Sequence, residues 1–165
     1  MSLAPLPFID LQAQRTRIGA SIDAGLLRVA AHGQYIMGPE VKTLQDDLKI
    51  FCGAKHCITV ANGTEALAMP LMAKHVRPGD AVLVPSFTFA ATAEVVAWLG
   101  ATPLFVDVDD KSFTMTLESL EAGIKKAKAL ALKPIAVIPV DLFGQAANYD
   151  EIENLAAAQI GRAHV

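Results

Sequence analysis

Four short segments of this chain are apolar almost from end to end, and each is followed by a stretch with helical spacing. They are Cys57–Ala61, Ala81–Val84, Pro103–Val108 and Ile135–Val140. A strand exposed on one face alternates apolar and polar residues, whereas a strand buried on both faces does not. Helical patterns follow over Thr64–Lys74, Phe89–Leu99, Leu117–Ala127 and from about Tyr149. Strand–helix repetition with doubly buried strands predicts an α/β fold, a mostly parallel sheet flanked by helices. Two helices precede it. One spans about 10–31, with Leu11, Ile18, Ile22, Leu26, Val29 and Ala30 near a 3.6-residue period, and the other about Glu40–Phe51. Pro70 falls inside the third helix and is expected to kink or shorten it.

Composition narrows the class. The chain has 165 residues, 53% hydrophobic and 19% charged, which suits one packed domain and not a disordered segment. A formal net charge of −3 gives no electrostatic reason to expect nucleic acid or an anionic membrane as partner. Apolar runs are too short for a membrane span, and Met1–Pro5 lacks the features of a secretory signal, so a cytoplasmic location is expected. Cys52 and Cys57 read as reduced, partly buried thiols, and no metal site is expected.

In a parallel sheet, ligands bind at the carboxyl ends of the strands. Four loops then become candidates. Asn62-Gly63-Thr64-Glu65 turns a strand into a helix whose first amides lack carbonyl partners. Such a terminus suits a phosphate, with the Thr64 hydroxyl as an extra donor, but the same residues also make an ordinary helix cap. The loop has neither glycine-rich nucleotide signature. Phe87 and Phe89 leave the second strand, where one ring could stack on a flat ligand or both could cover the core edge. Asp107-Val108-Asp109-Asp110 reads as a turn. Asp141 leaves the last strand at the ligand end, facing either a cofactor or solvent.

The ordered set is more specific than any member. Phe8-Ile9-Asp10-Leu11-Gln12 is followed by His32-Gly33-Gln34-Tyr35-Ile36-Met37-Gly38-Pro39-Glu40 and Ala61-Asn62-Gly63-Thr64-Glu65-Ala66-Leu67. Pro78-Gly79-Asp80, Pro85–Thr92 and Pro139–Gln145 complete it. From about Phe8 to Gln159 this resembles the N-terminal part of the DegT/DnrJ/EryC1/StrS family of sugar aminotransferases, which depend on pyridoxal 5′-phosphate (PLP). The resemblance implies a partial large domain of the type I PLP-transferase fold over residues 1–159. It also implies amino transfer from an amino acid, glutamate being expected, to a nucleotide-linked keto-sugar, in making amino sugars for surface polysaccharides. A homodimer is implied for the full-length parent.

By position in that family, Asn62, Gly63, Thr64 and Glu65 would hold the PLP phosphate, Phe89 would stack on the pyridine ring, and Thr92 and Asp141 would lie near the cofactor. The aspartate that pairs with the pyridine nitrogen and the lysine that forms the Schiff base have no match here. None of the nine lysines stands in that context, so no catalytic residue is assigned and this piece alone is expected to be inactive. A PLP-dependent sugar dehydratase, with histidine in place of that lysine, is the alternative inside the family. A nucleotide-binding α/β module without catalytic activity is the alternative outside it. One codon choice for Ile160–Val165 resembles a sequencing-library adapter, so residues 160–165 are expected to be a non-native tail.

Overall fold

A computed structural model describes residues 8–160. The segment 1–7 and residues 161–165 of the expected tail lie outside them. The chain divides into two compact units, 1–59 and 60–165.

The first unit holds α1 (Leu11–His32) and α2 (Pro39–Cys52). Asp10 caps α1 by accepting from the Ala13 amide, and Gly33 ends it in a left-handed conformation. Pro39 opens α2 at a position where its missing N–H costs nothing. Arg28 and His32, one turn apart on α1, both reach the Glu40 carboxylate, at 3.0 and 3.1 Å. The Arg28 guanidinium, foremost among several hydrogen bonds, holds the Glu40 carboxyl below its usual range. Neither helix has a buried residue, and Leu11, Ile18, Ile22 and Leu26 are exposed.

The second unit carries the sheet. α3 (Gly63–Ala73) leads to β1 (Asp80–Pro85), α4 (Ala91–Trp98) and β2 (Thr102–Val106). Next come α5 (Leu117–Ala129), β3 (Lys133–Val137), a 3-10 turn (Leu142–Gly144) and α6 (Tyr149–Gln159). The strand order is β2-β1-β3, parallel throughout, with Leu83 opposite Leu104 on one side and Val137 on the other.

β1 is buried along its whole length, as its lack of alternation predicts. Its residues divide between two cores. Val82 and Val84 pack with Ala136, Ile138, Ala68 and Leu71 of α3, and Val95 and Val96 of α4. Ala81 and Leu83 pack with Leu104, Val106, Leu120 and Ile124 of α5, and Ile152 and Ala156 of α6. The unit is thus a sheet between two helical layers. Gly123 lets α5 sit tight on the sheet: a Cβ there would lie 2.8 Å from Leu83 Cδ2 and closer still to Val106.

Several expectations need correction. Cys57–Ala61 is not a strand: among the described residues it pairs with no other segment, and an isolated strand has no ladder to stabilise it. The third strand stops at Val106, because Val108 turns to form an antiparallel bridge with Met115. The last strand is Lys133–Val137, earlier than expected. α4 begins at Ala91, not at Phe89. α3 continues through Pro70 and ends at Ala73, three residues later. The cysteines are free, but Cys52 is exposed and only Cys57 is half-buried.

Candidate functional site: the carboxyl edge of the sheet

Every sequence-predicted site residue falls in the second unit. α3 starts at Gly63 because Asn62, with extended backbone, ends the preceding segment and caps the helix. The Asn62 side chain accepts from the Glu65 amide at 3.0 Å, and the Glu65 carboxylate accepts from the Ala61 amide at 3.3 Å. This reciprocal arrangement satisfies two donors at once. The Ala66 amide is bonded to the Asn62 carbonyl. The Gly63 and Thr64 amides and the Thr64 hydroxyl have no partner among the described residues. Apart from its chain neighbours and its own helix backbone, no heavy atom of the described residues lies within 4 Å of where a Gly63 Cβ would be, so the approach is open.

Two unpaired amides, a hydroxyl and the positive end of a helix dipole make a donor set suited to a phosphate dianion. Asn62 and Glu65 cap the helix through the Asn62 side-chain oxygen and the Glu65 carboxylate, and the Glu65 amide is taken by that oxygen. Gly63 and Thr64 keep free donors, as does Asn62 through its own amide and side-chain NH2 group.

The loop after β1 holds Phe89, a residue 77% exposed, with its carbonyl accepting the Thr92 amide at the start of α4. Thr92 is buried, and its hydroxyl shares a 3.1 Å hydrogen bond with that of Thr88. α3 and α4 pack against one another and on the same sheet face.

After β3, Asp141 opens the 3-10 turn. Its Oδ1 accepts from the Ala147 amide at 2.9 Å and from the Tyr149 hydroxyl at 3.0 Å. Burial, and then the bond to this carboxylate, push the Tyr149 phenol up. Asp141 therefore ties down the loop that carries it. Asp109, as the turn reading expects, accepts from the Lys111 and Ser112 amides. The Ser112 contact is foremost in holding its carboxyl below the usual range.

One arrangement at this edge was not legible in the sequence. Phe87, Phe113 and Phe143, from the three loops that follow β1, β2 and β3, touch one another, with ring centroids 5.6, 5.9 and 6.2 Å apart. Only Phe87 stood out by its place after a strand, and no local pattern joins it to the other two.

Residues 16–160 match the DegT/DnrJ/EryC1/StrS aminotransferase family. A UDP-2-acetamido-2-deoxy-3-oxo-D-glucuronate aminotransferase from Pseudomonas aeruginosa is 49% identical over 92% of this chain and 41% of its own length. The crystal structure of a DegT DnrJ EryC1 StrS aminotransferase from Brucella abortus superposes with a TM-score of 0.91 at 52% identity, over 94% of this chain and 42% of that one. DesV from S. venezuelae gives 0.87 at 31% identity, over 94% and 40%. The chain thus spans about two-fifths of the length of the relatives it matches. Family match, identity and superposition agree with the parallel sheet and its helix-capped loop: the chain belongs to the DegT/DnrJ/EryC1/StrS aminotransferase family.

Proposed function

We propose that this chain forms the phosphate cradle and ring wall of a PLP-dependent aminotransferase that acts on nucleotide-linked keto-sugars. The observation that carries this reading is the pair of unpartnered amides at Gly63 and Thr64, beside the Thr64 hydroxyl. A phosphate monoester needs several convergent donors, and this loop supplies them on a rigid helix end. The names of family relatives support the substrate class. They include aminotransferases for UDP-linked and dTDP-linked sugars.

When bound, PLP supplies an electron sink and a carrier for the amino group between an amino-acid donor and a sugar carbonyl. The residues of this chain bind and orient. Gly63 and Thr64 donate to the phosphate. Asn62 and Glu65 hold those donors in place through the cap. Phe89 offers an exposed face to the pyridine ring, where stacking excludes water from one side. Thr92 fixes the loop that carries Phe89 through its bond to Thr88, and Asp141 borders the cofactor from the loop after β3. The amino donor, the nucleotide sugar and a homodimeric parent belong to the same proposal.

The test is PLP binding by equilibrium dialysis, comparing the chain with its Thr64→Val variant. Loss of a hydroxyl donor to a dianion costs about 1.5 kcal/mol, roughly tenfold in affinity. Unchanged affinity would remove Thr64 from the cradle.

A further inference from the structure

We infer that Phe143, backed by Phe87 and Phe113, is a stacking platform for the nucleobase of the nucleotide-linked substrate. The inference rests on the substrate class proposed above. The sheet is parallel, so the loops after its three strands emerge at one edge, and each contributes one ring. The Phe143 ring is edge-on to Phe113, at 87°. As whole residues, Phe143 is 78% exposed, whereas Phe87 and Phe113 are 47% and 39% exposed. The two inner rings support the third, which turns most of its surface to solvent.

Backbone geometry points the same way. Phe113 and Phe143 both have positive φ, 58° and 56°, a conformation that costs a bulky residue free energy. Glycine would relax either position, yet each carries a large ring. The loop that carries Phe143 is also tied down: Asp141, two residues before it, accepts from the Ala147 amide and the Tyr149 hydroxyl. A ring fixed in advance loses little entropy on stacking.

The occupant follows from the substrate class. Family relatives are named for UDP-, dTDP- and GDP-linked sugars, which share a planar heteroaromatic base but not its hydrogen-bonding edge. Stacking on an aromatic face tolerates such variety, because every base has a π-face.

The experiment titrates the full chain with uridine 5′-monophosphate and, separately, with ribose 5-phosphate, which lacks the base. Phe143→Gly is the variant, since glycine suits the left-handed backbone and only the ring is lost. The expected result is tighter binding of the nucleotide than of the sugar phosphate, with the preference reduced about tenfold in Phe143→Gly. PLP binding is measured on the same samples. Loss of PLP binding with the base preference intact overturns the cofactor cradle and leaves the platform standing. Equal binding of the two phosphates, or a preference that survives Phe143→Gly, overturns the platform. A self-association abolished by Phe143→Gly without any base preference also overturns it, and assigns the rings to contact between copies of the chain.

Discussion

Asn62 and Glu65 cap α3 by exchange: the Asn62 side chain takes the Glu65 amide at 3.0 Å, while the Glu65 carboxylate takes the amide of Ala61 at 3.3 Å. The exchange spends the donors on either side of Gly63 and Thr64 and leaves those two amides open. A structural cap and the proposed anion cradle thus share one loop.

Removing the cap should therefore cost both stability and binding. Asn62→Ala is expected to lower the unfolding free energy by about 1 kcal/mol, the usual worth of an N-cap side chain. Urea denaturation followed by circular dichroism would show a lower midpoint at unchanged slope. PLP affinity should fall as well, because an uncapped first turn no longer holds Gly63 and Thr64 in line. A lowered midpoint with full PLP affinity would mean the cap and the cradle are independent.

At Gly123, α5 comes close against the sheet. A methyl group there meets Leu83 and Val106 side chains at the centre of one core. Gly123→Ala gains helix propensity of about 1 kcal/mol but overpacks the core by about 1–3 kcal/mol. The overpacking prevails, because the added Cβ would lie 2.5 Å from Val106 Cγ1 and 2.8 Å from Leu83 Cδ2, and Leu83 is fully buried. Thermal melting should show a lower Tm for Gly123→Ala; a rise would mean that α5 can lift from the sheet without loss.

Tyr149 makes the loop after β3 sensitive to alkali. Burial and the hydrogen bond to Asp141 raise its phenol above the ordinary value. A group with a raised folded pKa stabilises the fold at pH below its unfolded value and loses that contribution as pH climbs through the folded one. Tyr149 should thus help fully at neutral pH and lose its effect above about pH 10, where phenolate would face carboxylate. The difference in stability between the chain and Tyr149→Phe should shrink as pH rises through that range. A difference that grows would reverse the assignment of Tyr149 as donor.

Much of the second unit is legible from local chemistry. β1 lacks alternation, and it is buried on both sides. The Asn62 cap can be read from four adjacent residues, because capping is a contact between near neighbours. What escapes the sequence depends on distant partners. Ile58, Thr59 and Val60 have strand-forming side chains, yet no described strand pairs with them. On α1 the period of Ile18, Ile22 and Leu26 correctly marks a helix, but periodicity does not reveal what packs on its apolar face. Phe87, Phe113 and Phe143 meet only because three parallel strands end at one edge, and nothing in their spacing foretells it. Asp141 could be placed at the ligand end by sequence, while its grip on Ala147 and Tyr149 required the fold.

The proposed cofactor cradle requires that the beginning of α3 hold a phosphate. Backbone amide NMR of the chain, titrated with PLP and then with pyridoxal, which lacks the phosphate group, tests this directly. The predicted result is saturable movement of the Gly63 and Thr64 amide resonances with PLP and little response to pyridoxal at the same concentrations. Equal responses to both compounds, or PLP binding that leaves those two resonances in place, would contradict it.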